Sequence, residues 1–191
     1  MSLLLDNNFD GETIGNAPSG WTRGGAQTGT VQSAPSGMSG KALRITQGTG
    51  SDYCERTYTR QTGIHEHHLL LRIGGVTNSR YGDISITDTV TGKRAVRLLF
   101  TTITVGADAN AVRASNGGSY FTVASLAQST TYAVIVYENV ATKKWAVRIG
   151  GTLYDNGGAW WSFDDTGAGG TDKIQVEAAS PDGATGGEYT W

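Results

Sequence analysis

The segment Asn156–Asp165 carries the side chains best suited to hold a ligand, because three large aromatic residues lie there between a glycine-rich turn and an acidic turn. If Trp160 and Trp161 lie in a strand, their rings point to opposite faces of the sheet. An exposed ring would offer a flat apolar face to a sugar or a partner protein. We predict a carbohydrate- or partner-binding site at Trp160, Trp161 and Phe163. Packing of both tryptophans at one end of the fold is the alternative.

Histidines at alternate positions indicate a second kind of chemistry. A strand would place His65 and His67 on one face, where they could share a metal ion. Zn²⁺ would need neutral imidazoles and two further ligands, of which Cys54 is a conceivable one. The alternative is the solvated start of a strand, with both histidines facing outward. Cys54 is the single cysteine, so no disulfide forms within the chain, and burial as a small hydrophobic residue is its expected role.

The N-terminal loop offers oxygen ligands. Asp6, Asn7, Asn8 and Asp10 lie close together in the sequence, and Ca²⁺ takes about six to eight oxygens, some of them from backbone carbonyls. The spacing does not match a dedicated calcium loop, and Asx residues also form ordinary turns. A structural calcium ion at this loop is therefore a prediction that competes with a plain turn.

The composition favours one all-β domain over residues 1–191. The chain has 28 glycines and 3 prolines among its 191 residues, and good helix formers do not accumulate between the glycines. The formal charge is −2 and no basic run occurs, which argues against nucleic acid and an anionic membrane surface as partners. We find no apolar run of membrane-helix length and no signal peptide, so we expect synthesis in the cytosol.

Alternating apolar residues predict about a dozen short strands joined by Gly, Asn, Asp and Ser turns, a spacing typical of a β-sandwich or barrel. The clearest pattern is a hairpin in which Thr131–Tyr137 leads through a turn at Glu138–Lys144 into Trp145–Ile149. Gly150–Gly151 then turns the chain back. The sequence shows no alternation of strands with helices, so it does not predict a parallel sheet.

Several stretches together resemble the concanavalin A-like, laminin-G-like jelly-roll family. The strands Leu3–Leu5 and Glu188–Trp191 are expected to pair, as the terminal strands of that family do. The other stretches that carry the resemblance are Phe9–Gly11, Pro18–Trp21, Ser39–Ile45, Thr131–Tyr137 and Trp145–Gly151. The resemblance covers nearly the whole chain and implies a two-sheet antiparallel jelly-roll sandwich.

The resemblance also bears on the metal site and on catalysis. Relatives of this fold often hold a structural calcium ion where the first loop meets the last strands, which implies Asp172 or Glu177 as partners of Asp6 and Asp10. The family's hydrolases resemble one another in a Glu-x-Asp-x-Glu strand, which supplies the two carboxylates of glycoside hydrolysis. No such run occurs in this sequence. We therefore predict that the chain is not an enzyme.

Two functions remain after these exclusions. The first is a virion structural or surface protein, such as a phage head decoration or a tail-associated adhesion protein, that binds other virion proteins and allows a homo-oligomer. The alternative is a lectin-like carbohydrate-binding module with an exposed tryptophan as its stacking platform. Both functions admit cell-surface glycans as partners. Fold class alone does not decide between them.

Overall fold

The computed structural model describes residues 9–25, 29–46, 51–73, 81–101, 110–179 and 188–190. Within these ranges the chain forms strands, and no helix there is long and apolar enough to cross a membrane. The predicted strand Leu3–Leu5, the loop residue Asp6 and the terminal Trp191 lie outside the described residues. Strands are labelled in chain order, from β1 to β15.

The strands form two antiparallel sheets, which we call sheet A and sheet B. In spatial order, sheet A contains β1 (Thr22–Gly24), β4 (Asp52–Gln61), β14 (Thr171–Ala179), β6 (Tyr81–Asp88), β7 (Lys93–Thr101), β8 (Ala111–Asn116) and β9 (Ser119–Ser125). Sheet B contains β12 (Thr152–Tyr154), β11 (Lys144–Ile149), β10 (Thr131–Asn139), β5 (Ile64–Ile73), β15 (Glu188–Thr190), β3 (Lys41–Thr46) and β2 (Thr30–Ser33), with the short β13 (Trp161–Ser162) also paired to β11. This arrangement confirms the predicted all-β, two-sheet jelly-roll sandwich.

Alternation along the strands places the apolar side chains between the two sheets. In the predicted hairpin, Val134 pairs with Ile149 and Val136 with Val147, and all four side chains are buried. Sheet A contributes further buried side chains from its central strands, among them Ile84, Ile86, Val96, Leu98, Phe100, Ile174 and Val176. The core therefore follows the period-two pattern of the sequence.

Two turns decide how the hairpin continues. Gly150 and Gly151 have φ values of 55° and 91°, the left-handed pair that a two-residue hairpin turn requires, and they return β11 into β12 as predicted. The predicted turn at Glu138–Lys144 begins too early, because β10 continues to Asn139. Glu138 still belongs to β10, pairs with Trp145 and is fully buried.

Cys54 is a buried free cysteine, as predicted. Burial raises the pKa of its thiol to about 11, so the thiolate is scarce at neutral pH. Its sulfur lies against Gly29, where an added Cβ would collide with Cys54 Sγ. The next atoms that this Cβ would meet, on Ile45 and Leu43, are each 3.7 Å away, an ordinary contact. The glycine therefore makes room for one sulfur atom.

We expect Gly29→Ala to lower the free energy of unfolding by about 1–3 kcal/mol, because it overpacks the core beside Cys54. The double variant Gly29→Ala/Cys54→Ala removes the clash and should be no less stable than Cys54→Ala alone. Chemical denaturation of the four proteins measures this coupling. Gly63→Ala is the matched control, since a Cβ there meets nothing within 4 Å. Equal losses with and without Cys54 would contradict the steric explanation.

Candidate functional site

Two of the three predicted aromatic site residues belong to the core. Trp161 is 4% exposed, pairs with Trp145 in the sheet and stacks on that ring at a centroid distance of 5.1 Å. Phe163 is fully buried. Phe163 has no free face for stacking on a ligand, because the protein itself covers it. Trp161 is almost wholly covered as well, although it lines a cleft at the edge of the sandwich. Trp160 keeps the most exposed ring of the three, and a ligand-binding role at these residues stays a prediction.

Trp160 precedes β13 and lies in the turn that begins at Asp155, so the two tryptophans do not share a strand. Its φ of 53° is left-handed, which costs a bulky residue about 1–2 kcal/mol. The turn is held by the Trp160 N–H, which donates to the Asp155 carbonyl at 2.8 Å. The half-buried ring packs on Tyr137, with centroids 6.4 Å apart. Trp160 thus keeps only part of its surface for a ligand.

The same turn borders a cleft at the edge of the sandwich, which we call the edge cleft. It lies between β9, the edge strand of sheet A, and β12, the edge strand of sheet B. It is a shallow, largely open depression with a volume of about 380 Å³. The lining residues are Phe121, Thr122, Val123, Leu153, Tyr154, Asp155, Asn156, Gly157 and Trp161.

The edge cleft combines exposed apolar surface with free polar groups. Phe121 is 49% exposed and Leu153 is 41% exposed, high values for large hydrophobic residues. Asn156 has a φ of 57°, which asparagine tolerates better than most residues. Its exposed side-chain amide makes no hydrogen bond within the described part of the chain. Asp155 Oδ1 accepts the Gly158 N–H at 3.1 Å, which leaves Oδ2 for a ligand.

The structure gives Asp10 and Asp172 separate partners. Asp10 Oδ1 accepts the Lys41 N–H at 3.0 Å, at the start of β3. Asp172 accepts the Thr89 N–H at 2.8 Å and the Thr89 hydroxyl at 2.6 Å, beyond the end of β6. Among the described residues, these two carboxylates do not belong to a common cluster of metal ligands. The calcium site with Asp6 stays a prediction.

The described residues do contain one cluster able to hold a metal, and it is built on the predicted histidine pair. His65 Nε2 lies 2.6 Å and His67 Nε2 3.1 Å from Glu138 Oε2. The expectation that these histidines face outward is wrong, because their side chains are only 8% and 14% exposed. Cys54 is not part of the cluster. Sequence reasoning missed Glu138, because it treated that residue as part of a turn.

Electrostatics keep Glu138 ionised. Burial alone would raise the pKa of this carboxyl, but hydrogen bonds and charge from His65 and His67 outweigh burial and hold the pKa below its ordinary value. Burial and the Glu138 charge together raise the pKa of Tyr58, whose ring lies edge-on to His67 at 5.4 Å. The cluster therefore contains a buried carboxylate, and its negative charge must be balanced by the imidazoles or by a bound metal ion.

Sheet A brings together two carboxylates that lie far apart in the sequence. Glu177 on β14 is the register partner of Asp83 on β6. Asp83 accepts hydrogen bonds from Arg97 Nε at 2.5 Å and Ser85 Oγ at 2.6 Å. Glu177 accepts one from Gln175 Nε2 at 3.0 Å, and burial followed by the charge of Asp83 raises the pKa of Glu177. A search for acidic residues within one strand could not find this pair.

Comparisons with known proteins bear on the fold. No family model and no curated protein matches this chain. A sialidase superposes on 98% of the chain with a TM-score of 0.72 at 14% identity, and the chain spans 18% of that protein's length. Basic winged bean lectin with Tn-antigen superposes with a TM-score of 0.55 at 13% identity, over 93% of this chain and 91% of the lectin.

A third structure is the CBM2 module of the evolved Dit of Lactobacillus casei BL23 phage J-1. It gives a TM-score of 0.55 at 12% identity, over 92% of this chain and 89% of the module. Identities this low show a shared fold alone. The chain therefore has the jelly-roll sandwich that lectins and carbohydrate-binding modules use.

Proposed function

We propose that this domain binds an uncharged glycan in the edge cleft and does not catalyse its conversion. One observation carries the proposal: Phe121 and Leu153 expose apolar surface in the same cleft where the Asn156 amide has no hydrogen-bond partner among the described residues. A sugar ring needs this combination, because its C–H faces pack on apolar side chains while its hydroxyls need donors and acceptors. Asn156 supplies both a donor and an acceptor.

Charge selects the class of glycan. Asp155 is the one charged residue among the described residues that line the edge cleft. A carboxylate accepts hydrogen bonds from sugar hydroxyls, but it repels the carboxylate of an acidic sugar. The proposal therefore favours neutral glycans over sialylated or uronate-containing ones, although a sialidase shares the fold.

Two further features support binding rather than catalysis. The fold is shared with a lectin and with a CBM2 module, each along about nine-tenths of its length. The paired carboxylates of sheet A are held by Arg97, Ser85 and Gln175, and neither lines the edge cleft. An acid and a nucleophile would both need access to one glycosidic bond.

A glycan array tests the proposal with four folded variants beside the wild type. We expect neutral glycans to bind, and Phe121→Ala and Asn156→Ala to lose at least about tenfold in affinity, as central contacts of an interface do. Val90→Ala should bind like the wild type, because Val90 is 73% exposed and does not line the cleft. Trp160→Ala tests the alternative that the Trp160 ring, next to the cleft, is the surface on which the sugar stacks.

The outcomes separate the candidate sites. Loss of binding in Trp160→Ala alone would move the site to the Trp160–Tyr137 face, against the edge cleft. Binding of acidic glycans alone would contradict the argument from charge. No binding by the folded wild type to any glycan on the array would overturn the proposed function.

A virion-surface role is the second candidate function, and the likeness to the CBM2 module of a phage Dit favours it. In this proposal the domain is displayed on a particle and binds host glycans through the same cleft. Co-sedimentation of the purified domain with phage capsids and tails tests it. Binding of the domain with its cleft intact to capsids or tails would support the display role. Failure to bind either component would contradict the display role.

A further inference from the structure

The His65–His67–Glu138 cluster has an arrangement of donors that hydrogen bonding alone explains poorly. Three groups converge on one oxygen, Glu138 Oε2, since the Thr171 hydroxyl lies 3.2 Å from it beside the two imidazoles. The other oxygen, Oε1, is buried without any partner in the described residues, and so is His65 Nδ1. Buried carboxylates ordinarily share their donors between both oxygens.

The converging atoms suit a single cation instead. The ligand atoms are His65 Nε2, His67 Nε2, Glu138 Oε2 and Thr171 Oγ1. Four of their six pairs are 2.6 to 3.2 Å apart, and the atoms of the two histidines and Glu138 all lie within 4.8 Å of one another. Ligands of a tetrahedral zinc ion, each about 2.05 Å from the metal, are about 3.3 Å apart. A small outward movement of these side chains would therefore make room for the ion at their centre.

The strands fix the ligands in this position. His65 is the register partner of Glu138 across β5 and β10, and His67 follows on the same face. Thr171 begins β14 of sheet A, so the cluster joins the two sheets across the core. Glu138 is fully buried and the two imidazoles are only 8% and 14% exposed, so the site is closed to bulk solvent.

We propose that His65, His67 and Glu138 bind a structural Zn²⁺ ion, with the Thr171 hydroxyl or the second oxygen of Glu138 as the fourth ligand. With the Thr171 hydroxyl as the fourth ligand, the ion would link sheet A to sheet B. With either fourth ligand it would neutralise the buried carboxylate. Because the site is closed, the metal enters during folding and not through an open channel.

The test is to unfold the full chain, refold it with and without Zn²⁺, desalt it and measure its metal content by mass spectrometry. We expect about one zinc ion per chain and a higher thermal midpoint after refolding with Zn²⁺, since an ion that binds only the folded state stabilises it. Glu138→Gln and His67→Gln should hold no more zinc than a mock-treated sample. His68→Gln is the matched control, because His68 lies on the same strand with its side chain 61% exposed.

A second readout needs no destabilised variant. Refolding the wild type and His68→Gln with Co²⁺ should give the visible absorption of a tetrahedral cobalt site in both proteins. A wild-type chain that takes up neither zinc nor cobalt, with an unchanged midpoint, would overturn the proposal. Equal zinc content in the wild type and Glu138→Gln would also overturn it.

Discussion

Trp161→Ala is expected to lower the free energy of unfolding by about 3–5 kcal/mol, while Trp160→Ala should cost about 1 kcal/mol. Trp161 is 4% exposed and packs on the buried Trp145, so its removal leaves a cavity in the core. Trp160 is half-buried and loses chiefly its contact with Tyr137. Urea denaturation of both variants, followed by fluorescence and circular dichroism, measures the difference.

The comparison is informative because the two tryptophans are neighbours of the same type. Equal losses of stability would mean that both rings support the core. A larger loss for Trp160→Ala would contradict the assignment of Trp161 to the core and of Trp160 to the turn.

Asp83→Asn is expected to cost about 2 kcal/mol, since it removes one partner of a buried ion pair and also relieves the repulsion between Asp83 and Glu177. Asp83 is 1% exposed and the Arg97 side chain is 21% exposed, so little water can solvate the guanidinium that is left without its carboxylate. The asparagine keeps the size of the side chain, so a loss reports the charge and not a cavity. Thermal unfolding at neutral pH measures the effect.

Asp165→Asn is the matched control for Asp83→Asn. Asp165 pairs with Lys93 at 3.0 Å, but the two side chains are 40% and 50% exposed, and solvent screens such pairs. We expect no detectable change in its thermal midpoint. A wild-type midpoint for Asp83→Asn would mean that the Asp83–Arg97 pair does not hold sheet A together.

The strands and the core could be predicted because alternation of apolar residues is a local signal. β3 (Lys41–Thr46) covers most of the Ser39–Ile45 stretch that carried the resemblance, and the predicted hairpin forms from β10 and β11 with its valines buried. The short β1, β2 and β13 and the strand β8 were missed. Four-residue or shorter strands carry too few alternations to be seen, and β8 joins buried residues such as Ala111 and Val112 without a gap.

The candidate sites depend on contacts between strands, which a single sequence does not record. Phe121 and Leu153 meet because their strands are the edges of different sheets. Glu138 joins the histidines through the register of β5 and β10. Trp160 escaped correct prediction because its left-handed backbone is unusual for tryptophan.

The central claim, that a glycan occupies the edge cleft, is tested most directly by titrating the ¹⁵N-labelled protein with the neutral glycan that binds best on the array. The account predicts that amide signals of Thr122, Leu153, Asn156 and Gly157 shift in a saturable way, while signals from Gln175 and Glu177 in the centre of sheet A stay in place. Shifts confined to the centre of sheet A or to the surroundings of Tyr137, with the cleft signals unchanged, would contradict it.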